Sequence, residues 1–353
     1  MTGDRATVSF VVPGSLATLT GGYGYDREII AGLERRGWLV RVHELPGDYP
    51  FPSPESRAGA ARVLAALPAG ARVVVDGLAL GALPAEAARE AGRLSLVALV
   101  HHPLADETGL AEPARTALFE SERRALQAAT RVVVTSRATA ARLGAFGVAP
   151  SSITVIEPGT EPAPAARGSG STTVELLCVA TLVPRKGHDV LIRALAALAN
   201  RPWHLTCAGG LDRDPAWTAS VQDLIRVSGL EPRVSLAGEL GRSALDARYA
   251  AADVFVLPTW YEGYGMAVAE ALARGLPVVS SATGAIGDLV GPDAGRLVPP
   301  GDAEALTEAL RSVIDDAALR ARWSEGARRV RAKLPSWDDA AGLMARTIEG
   351  IDG

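Results

Sequence analysis

Short runs of apolar, largely β-branched residues alternate along the chain with alanine- and leucine-rich segments whose polar residues recur at helical spacing. TVSFVV, WLVRVH, RVVVDG, LSLVALV and RVVVTS read as buried strands, while REIIAGLERRG and TALFESERRALQAA carry the helical period. Strand and helix in alternation predict parallel sheets joined by right-handed crossovers. The pattern stops at PGTEPAPAARGSGSTT, residues 158–173, where Pro, Gly, Ser and Thr follow no period, as in an exposed linker. It resumes with VELLCVA, WHLTCAG, RVSLAG, ADVFVLP and LPVVSS. The expected fold class is therefore α/β, with two Rossmann-like doubly wound domains over residues 1–160 and 174–334 and a linker at 161–173. Ligands are expected in an interdomain cleft, beyond the carboxyl ends of the strands. The closing segment SWDDAAGLMARTIEGI predicts an amphipathic helix within 335–353, expected to pack back on the first domain.

A chain of 353 residues exceeds the usual size of one hydrophobic core, in keeping with two domains. With 48% hydrophobic and 22% charged residues it has the composition of a globular protein, not of a solvated tail. A net charge of -4, with no basic run, makes no electrostatic case for nucleic acid. At the amino terminus, Asp4 and Arg5 precede an apolar run too short for a signal peptide, and no stretch is long enough to span a bilayer. The two cysteines, Cys178 and Cys207, sit inside strand-like runs, which predicts core residues and neither a disulfide framework nor a metal site. These features predict a cytoplasmic protein. Lys186 and Lys333 are the only lysines in an arginine-rich chain, which draws attention to the loop holding Lys186.

The most informative stretch is WYEGYGMAVAEALARGLPVVS, residues 260–280. Glu262 follows the strand ADVFVLP, at the end where ligands bind in such folds. Gly263 and Gly265 permit close backbone approach, and a helix opening near Gly265 would direct free N–H groups and partial positive charge into the same space, as a phosphate site requires. Glu270 stands within an otherwise apolar helical segment, where an unpartnered carboxylate costs several kcal/mol, on the order of 3–5 when a partner is lost. A pair of vicinal hydroxyls, such as a ribose carries, would satisfy it.

This stretch resembles the E-x7-E signature of family 4 glycosyltransferases, retaining enzymes of the GT-B fold that move a sugar from a nucleotide donor. CVATLVPRKGHDVLIRAL, CAGG and LAGELGRSALDARYAAADVFVLP follow the family's order and spacing, so the likeness covers residues 174–300. The resemblance implies that Glu262 contacts the donor sugar and Glu270 the nucleotide ribose. It further implies that the backbone at Gly263, Tyr264 and Gly265 faces sugar and diphosphate, and that Lys186 beside Arg185 neutralises the leaving diphosphate. Family members usually carry an arginine about five residues before that lysine. Thr181 stands there instead, and Arg185 is the neighbouring residue able to supply the charge.

The first domain matches the family more loosely. Gly21 and Gly22, in LATLTGGYGYDREIIAGL, occupy a glycine pair between the first strand and the first helix, where backbone can approach a phosphate or the acceptor, although no dinucleotide G-x-G-x-x-G is present. Tyr23, Tyr25 and Asp26 are open to two readings, acceptor contacts or capping residues. In LVALVHHPLADETG, His101 best fits the histidine that in the family reaches the donor sugar. The following loop, with Asp106, Glu107 and Thr108, shows neither period and is expected to shape the acceptor site. A metal held by His101, His102, Asp106 and Glu107 is the weaker alternative, because adjacent histidines on extended chain point opposite ways.

The expected function is retaining, metal-independent transfer from a nucleotide-diphosphate sugar, with UDP-sugar as the default donor, no cofactor and no metal, to an unidentified small-molecule or glycan acceptor. The alternatives are a non-catalytic sugar-nucleotide-binding subunit and a sugar isomerase or phosphorylase of the same fold. Peripheral membrane contact stays open, as does the oligomeric state.

Overall fold

The computed structural model describes residues 5–351; Asp4, used above to judge the amino-terminal flank, lies outside the described residues. The chain divides into two compact units, Met1–Gly159 with Pro335–Gly353, and Thr160–Leu334.

The first unit contains a six-stranded parallel sheet of β1 (Thr7–Pro13), β2 (Leu39–Leu45), β3 (Arg72–Asp76), β4 (Ser95–Val100), β5 (Arg131–Val134) and β6 (Ile153–Val155), in the order β2-β1-β3-β4-β5-β6. The strand order reverses between β1 and β3, the kind of crevice in which doubly wound sheets bind ligands. β3, β4 and β5 are the buried valine- and leucine-rich strands that their composition predicts. WLVRVH corrects the expectation of a buried strand. As β2 it lies at the sheet edge, with Leu39 and Val42 exposed, because only one neighbour covers it.

Ahead of the helix Gly21–Arg35, Thr20 is the N-cap and accepts a hydrogen bond from Tyr23 N. Gly21 and Gly22 therefore form the first helical turn and not the turn before it. The helix Trp337–Glu349, closed at its start by a Ser336–Asp339 capping box, belongs to this unit although it ends the sequence. It packs on the helix Gly21–Arg35: the two approach so closely at Gly32 that a Cβ there would lie 2.3 Å from Cβ of Ala341. Arg36 adds a 2.9 Å ion pair to Asp338.

The second unit has its own six-stranded parallel sheet, of β7 (Val174–Val179), β8 (Trp203–Ala208), β9 (Val234–Gly238), β10 (Val254–Leu257), β11 (Val278–Ser281) and β12 (Gly295–Val298). Its order, β12-β11-β10-β7-β8-β9, is that of a dinucleotide-binding sheet, with the reversal between β7 and β10. Leu176, Leu177, Val254, Phe255 and Val256 fill its middle and pack against Leu191, Leu195, Val268 and Leu272 from the covering helices. PGTEPAPAARGSGSTT runs without regular structure, and from Thr160 onward it belongs to this unit, Ser169 N and Glu175 N both donating to the Asp253 carboxylate at 3.0 and 2.8 Å.

Candidate active site

In the second unit, the loops leaving β7 and β10 converge at the reversal point. After β7 the chain turns through a single 3-10 turn, Pro184–Lys186, and Gly187 ends it at φ +68°. Only glycine fits there: a Cβ at Gly187 would lie 2.0 Å from the Pro258 carbonyl oxygen of the opposite loop. The Arg185 carbonyl accepts from Thr259 Oγ1 at 2.9 Å and from Trp260 N at 2.8 Å, which ties the two loops together through backbone. Arg185 Nη1 donates to the Tyr261 carbonyl at 2.9 Å and stands 4.0 Å from Glu262 Oε1.

Lys186 Nζ forms a salt bridge with Glu262 Oε1, both side chains mostly buried. Burial pulls the Lys186 ammonium below its ordinary pKa, while the adjacent Glu262 carboxylate opposes the shift. A third loop, after β11, supports the pair from behind. Thr283 Oγ1 donates to the Trp260 carbonyl at 3.1 Å, and Gly284, at φ +53°, lies against the Glu262 backbone. Gly265 is the N-cap of the helix Met266–Ala273, whose amino end opens directly after Glu262, Gly263 and Tyr264. Tyr264 is buried against Ala269 and Ala285 and fixes that loop.

Glu270, on the same helix, has a protein partner that its sequence neighbours do not announce. Tyr249 OH donates to Glu270 Oε2 at 3.0 Å, and Arg274 stacks over the Tyr249 ring at 4.3 Å. Burial raises the Glu270 pKa, an effect the Tyr249 hydrogen bond and Arg274 partly offset. Its other oxygen has no hydrogen bond among the described residues, so one side of the carboxylate stays available. Thr181 lies in the loop two residues past β7 and is half-buried.

The first unit gathers a different set. His101, immediately after β4, places Nε2 3.4 Å from both Asp26 Oδ1 and Asp76 Oδ2. Asp26 comes from the helix Gly21–Arg35 and is 0% exposed; Asp76 ends β3 and is 5% exposed. Asp76 Oδ1 accepts from Leu78 N at 2.7 Å, capping a short helix, which leaves Oδ2 for the imidazole. Burial lowers the His101 pKa, but its two carboxylate partners outweigh that and raise it to about 10. Burial lifts Asp26 to about 6, against the pull of His101.

Tyr25 is fully buried and donates to the Ile156 carbonyl at 3.1 Å, so neither Tyr25 nor Asp26 is a cap or a surface contact. Tyr23 donates to the Pro13 carbonyl. Gly21 is exposed at the helix start, and Gly22 lies so near His101 that a Cβ would touch its ring at 3.4 Å.

The four-residue metal alternative does not assemble. His102 Nε2 lies 3.5 Å from Glu107, whereas Asp106 is engaged in a two-oxygen pair with Arg142 and His101 faces inward. The loop expected to lack structure contains a 3-10 turn, Leu104–Asp106, anchored where Leu104 N donates to buried Glu122 at 2.8 Å. Two trios of ligand-type atoms within 4.8 Å of one another do occur among the described residues: Asp26, Asp76 and His101, and Cys178, His188 and Cys207. Cys178 and Cys207 are core residues on paired strands, as expected, and His188 joins them at 3.8 Å from Cys178 Sγ. Sequence reasoning missed Asp76, Tyr249 and His188. For Asp76 a signal was present, a carboxylate ending the run RVVVDG; for Tyr249 and His188 there was none.

Two parallel doubly wound sheets, one with charged loops at its reversal point and an open helix amino end, define an α/β protein with a ligand crevice of the kind such sheets offer. Family models narrow this further: "Glycosyl transferases group 1" matches residues 161–330 and "Glycosyltransferase Family 4" matches residues 18–163. Each half of the chain thus resembles a glycosyltransferase family, and the architecture is the GT-B fold.

The MMP alpha-(1->4)-mannosyltransferase of Mycolicibacterium hassiacum is 29% identical over 316 residues, covering 85% of this chain and 75% of that protein. The D-inositol 3-phosphate glycosyltransferase of Kineococcus radiotolerans is 31% identical over 258 residues, covering 65% of this chain and 59% of that one. Among solved structures, sucrose-phosphate synthase from Thermosynechococcus elongatus superposes with a TM-score of 0.84 at 22% identity over 99% of both chains. Anabaena HepE in complex with UDP and glucose gives 0.76 at 19% identity, over 98% of this chain and 100% of that one. At these identities the structural likeness concerns the fold alone.

Proposed function

We propose that the protein transfers a glycosyl residue from a nucleotide-diphosphate sugar, with retention of configuration and without a metal, to a small-molecule or glycan acceptor in the cytoplasm. UDP-sugar is the default donor. The observation that carries this reading is the Lys186–Glu262 pair at the β7/β10 reversal, beside the amino end of the helix Met266–Ala273.

Cleavage of a glycosyl phosphate builds negative charge on the departing diphosphate, and fixed cations with a helix terminus stabilise it where it forms. Lys186 and Arg185 supply the charge, and Gly263, Tyr264 and Gly265 supply the backbone that meets it. Glu262 then faces the donor sugar, held by Lys186 until the diphosphate competes for that ammonium. Glu270, with one oxygen on Tyr249, offers the other to the ribose hydroxyls. By the family resemblance, Gly21, Gly22 and His101 are taken as further donor-contacting residues. The acceptor's proton passes to the donor phosphate.

The chemistry named in the relatives, mannosyl transfer and transfer to an inositol phosphate, supports a glycosyl donor and leaves sugar and acceptor to be identified. The deciding experiment is thermal stabilisation of the purified protein by a panel of nucleoside diphosphates and their sugars, with and without EDTA. A ligand that binds the native state raises the midpoint. A selective shift insensitive to EDTA is expected. A shift that requires a divalent ion would remove metal independence, and no shift with any nucleotide would remove the donor-site assignment. Product stereochemistry, read by NMR once donor and acceptor are paired, tests retention.

A further inference from the structure

The Asp26–His101–Asp76 cluster poses a charge problem that donor binding does not explain. Asp26 is wholly buried, and neither of its oxygens has a hydrogen bond among the described residues. Asp76 turns Oδ2 to the same place. Two carboxylates converging in a buried space repel, and each loses hydration, so the arrangement is relieved either by a proton on one of them or by a positive charge between them. His101 Nε2, buried and 3.4 Å from both, is the group at that point. A neutral ring can present only one N–H, and a ring with its lone pair on Nε2 would face both carboxylates with a third acceptor.

We propose that Asp26 and Asp76 are positioning residues that hold His101 as an imidazolium, Nε2–H turned inward between them, so that Nδ1–H is always a donor on the exposed side of the ring. The ring is 21% exposed, and Nδ1 has no hydrogen bond among the described residues. The backbone of His101 is anchored by Thr135 Oγ1, 3.3 Å from its carbonyl oxygen. Tyr25 meets the ring edge-on, with centroids 5.4 Å apart, and Gly22 adds no side chain to crowd it.

The titratable groups facing the ring are thus Asp26 and Tyr25 from the helix Gly21–Arg35 and Asp76 from β3. Burial keeps Tyr25 neutral by raising its pKa. With both carboxylates ionised the cluster carries one net negative charge, which keeps the proton on the ring. A fixed N–H donor suits an acceptor oxygen, a sugar hydroxyl or a phosphate oxygen, and excludes a ligand hydroxyl that must itself donate there. That ligand contact rests on the glycosyltransferase reading; the protonation state of His101 does not.

The test is a pH titration of the full chain labelled with 15N-histidine and followed by NMR, with His101 among the five histidines assigned by its loss in a His101→Gln variant. In the wild type both ring nitrogens of His101 are expected to keep imidazolium shifts from about pH 6 to about pH 9, well past the ordinary histidine midpoint near 6.5. In Asp26→Asn the midpoint falls toward that ordinary value. If Asp26→Asn fails to fold, Asp76→Asn and the wild-type titration carry the same readout.

Titration of wild-type His101 near 6.5 would overturn the proposal. So would shifts of its ring nitrogens that move on adding EDTA or Zn2+, since a cation would then occupy the place assigned to the proton. The readout needs no substrate. Failure of every nucleotide to bind would therefore strike the functional assignment and leave this one standing.

Discussion

Lys186 and Glu262 form an ion pair across 76 residues of sequence, each at the end of a loop that leaves the middle of the second sheet. Neither loop holds its charged residue alone, because the Arg185 carbonyl of one is hydrogen-bonded by Thr259 and Trp260 of the other. Lys186→Ala or Glu262→Ala should each lower turnover about a hundredfold or more, as expected when a charge acting on the transition state is removed. Each should also destabilise the fold by about 1–3 kcal/mol, by leaving a mostly buried partner uncompensated. The double variant Lys186→Ala with Glu262→Ala should be more stable than the sum of the two single losses predicts. Steady-state kinetics and a denaturant double-mutant cycle measure both effects. A single variant with normal turnover would exclude that residue from the reaction.

Gly284 controls Glu262 from a third loop. Its φ is +53° and a Cβ would stand 1.7 Å from the Glu262 carbonyl oxygen, a clash that no side-chain movement relieves. Gly284→Ala should cost about 1–3 kcal/mol and weaken nucleotide-sugar binding by moving Glu262. A melting curve and calorimetric titration with UDP-glucose report the two. Unchanged values in both would mean that the loop adapts and does not position the carboxylate.

Glu270 and Tyr249 separate the ribose contact from the structural one. Glu270→Ala should weaken UDP binding by about tenfold or more, the usual loss for hydrogen bonds to a charged group. Tyr249→Phe removes only the 3.0 Å donor to Glu270 Oε2 and should have the smaller effect on affinity. Isothermal titration with UDP distinguishes them, and equal affinity in Glu270→Ala and wild type would refute the ribose role.

Glu122 supplies a pH signature that can be read from stability alone. It is 1% exposed, accepts from Leu104 N, and burial pushes its pKa up to about 8. In the unfolded chain it titrates near an ordinary glutamate, about 4.3, so between those values the native state binds more protons and its stability falls as pH rises. Above about 8 the full penalty of the buried charge remains. Glu122→Gln keeps the shape and removes the charge, so it should raise the melting temperature at about pH 9 and leave it nearly unchanged at about pH 4. The opposite order of shifts would show that Glu122 is ionised in a compensated site.

The alternation of apolar runs and helical patterns determined, from sequence alone, two parallel α/β sheets, because a strand buried on both faces must be nearly all apolar and its crossover helix must carry the 3.6-residue period. The same run ADVFVLP, followed by Glu262 and a helix, placed that carboxylate at a strand's ligand-binding end, since chain direction in a parallel sheet fixes which end the loop leaves. Edge position was not legible: WLVRVH has a buried strand's composition but lies at β2 with one neighbour.

Nor did one-dimensional spacing reveal which distant charges meet. Asp26, Asp76 and His101 come from a helix, a strand end and a loop, and Tyr249 reaches Glu270 from 21 residues away. Local pattern reports only the faces that each element buries. The strand order decides which loops become neighbours, and it is set by packing over the whole sheet, so the partner of each buried charge appeared only when the chain was folded.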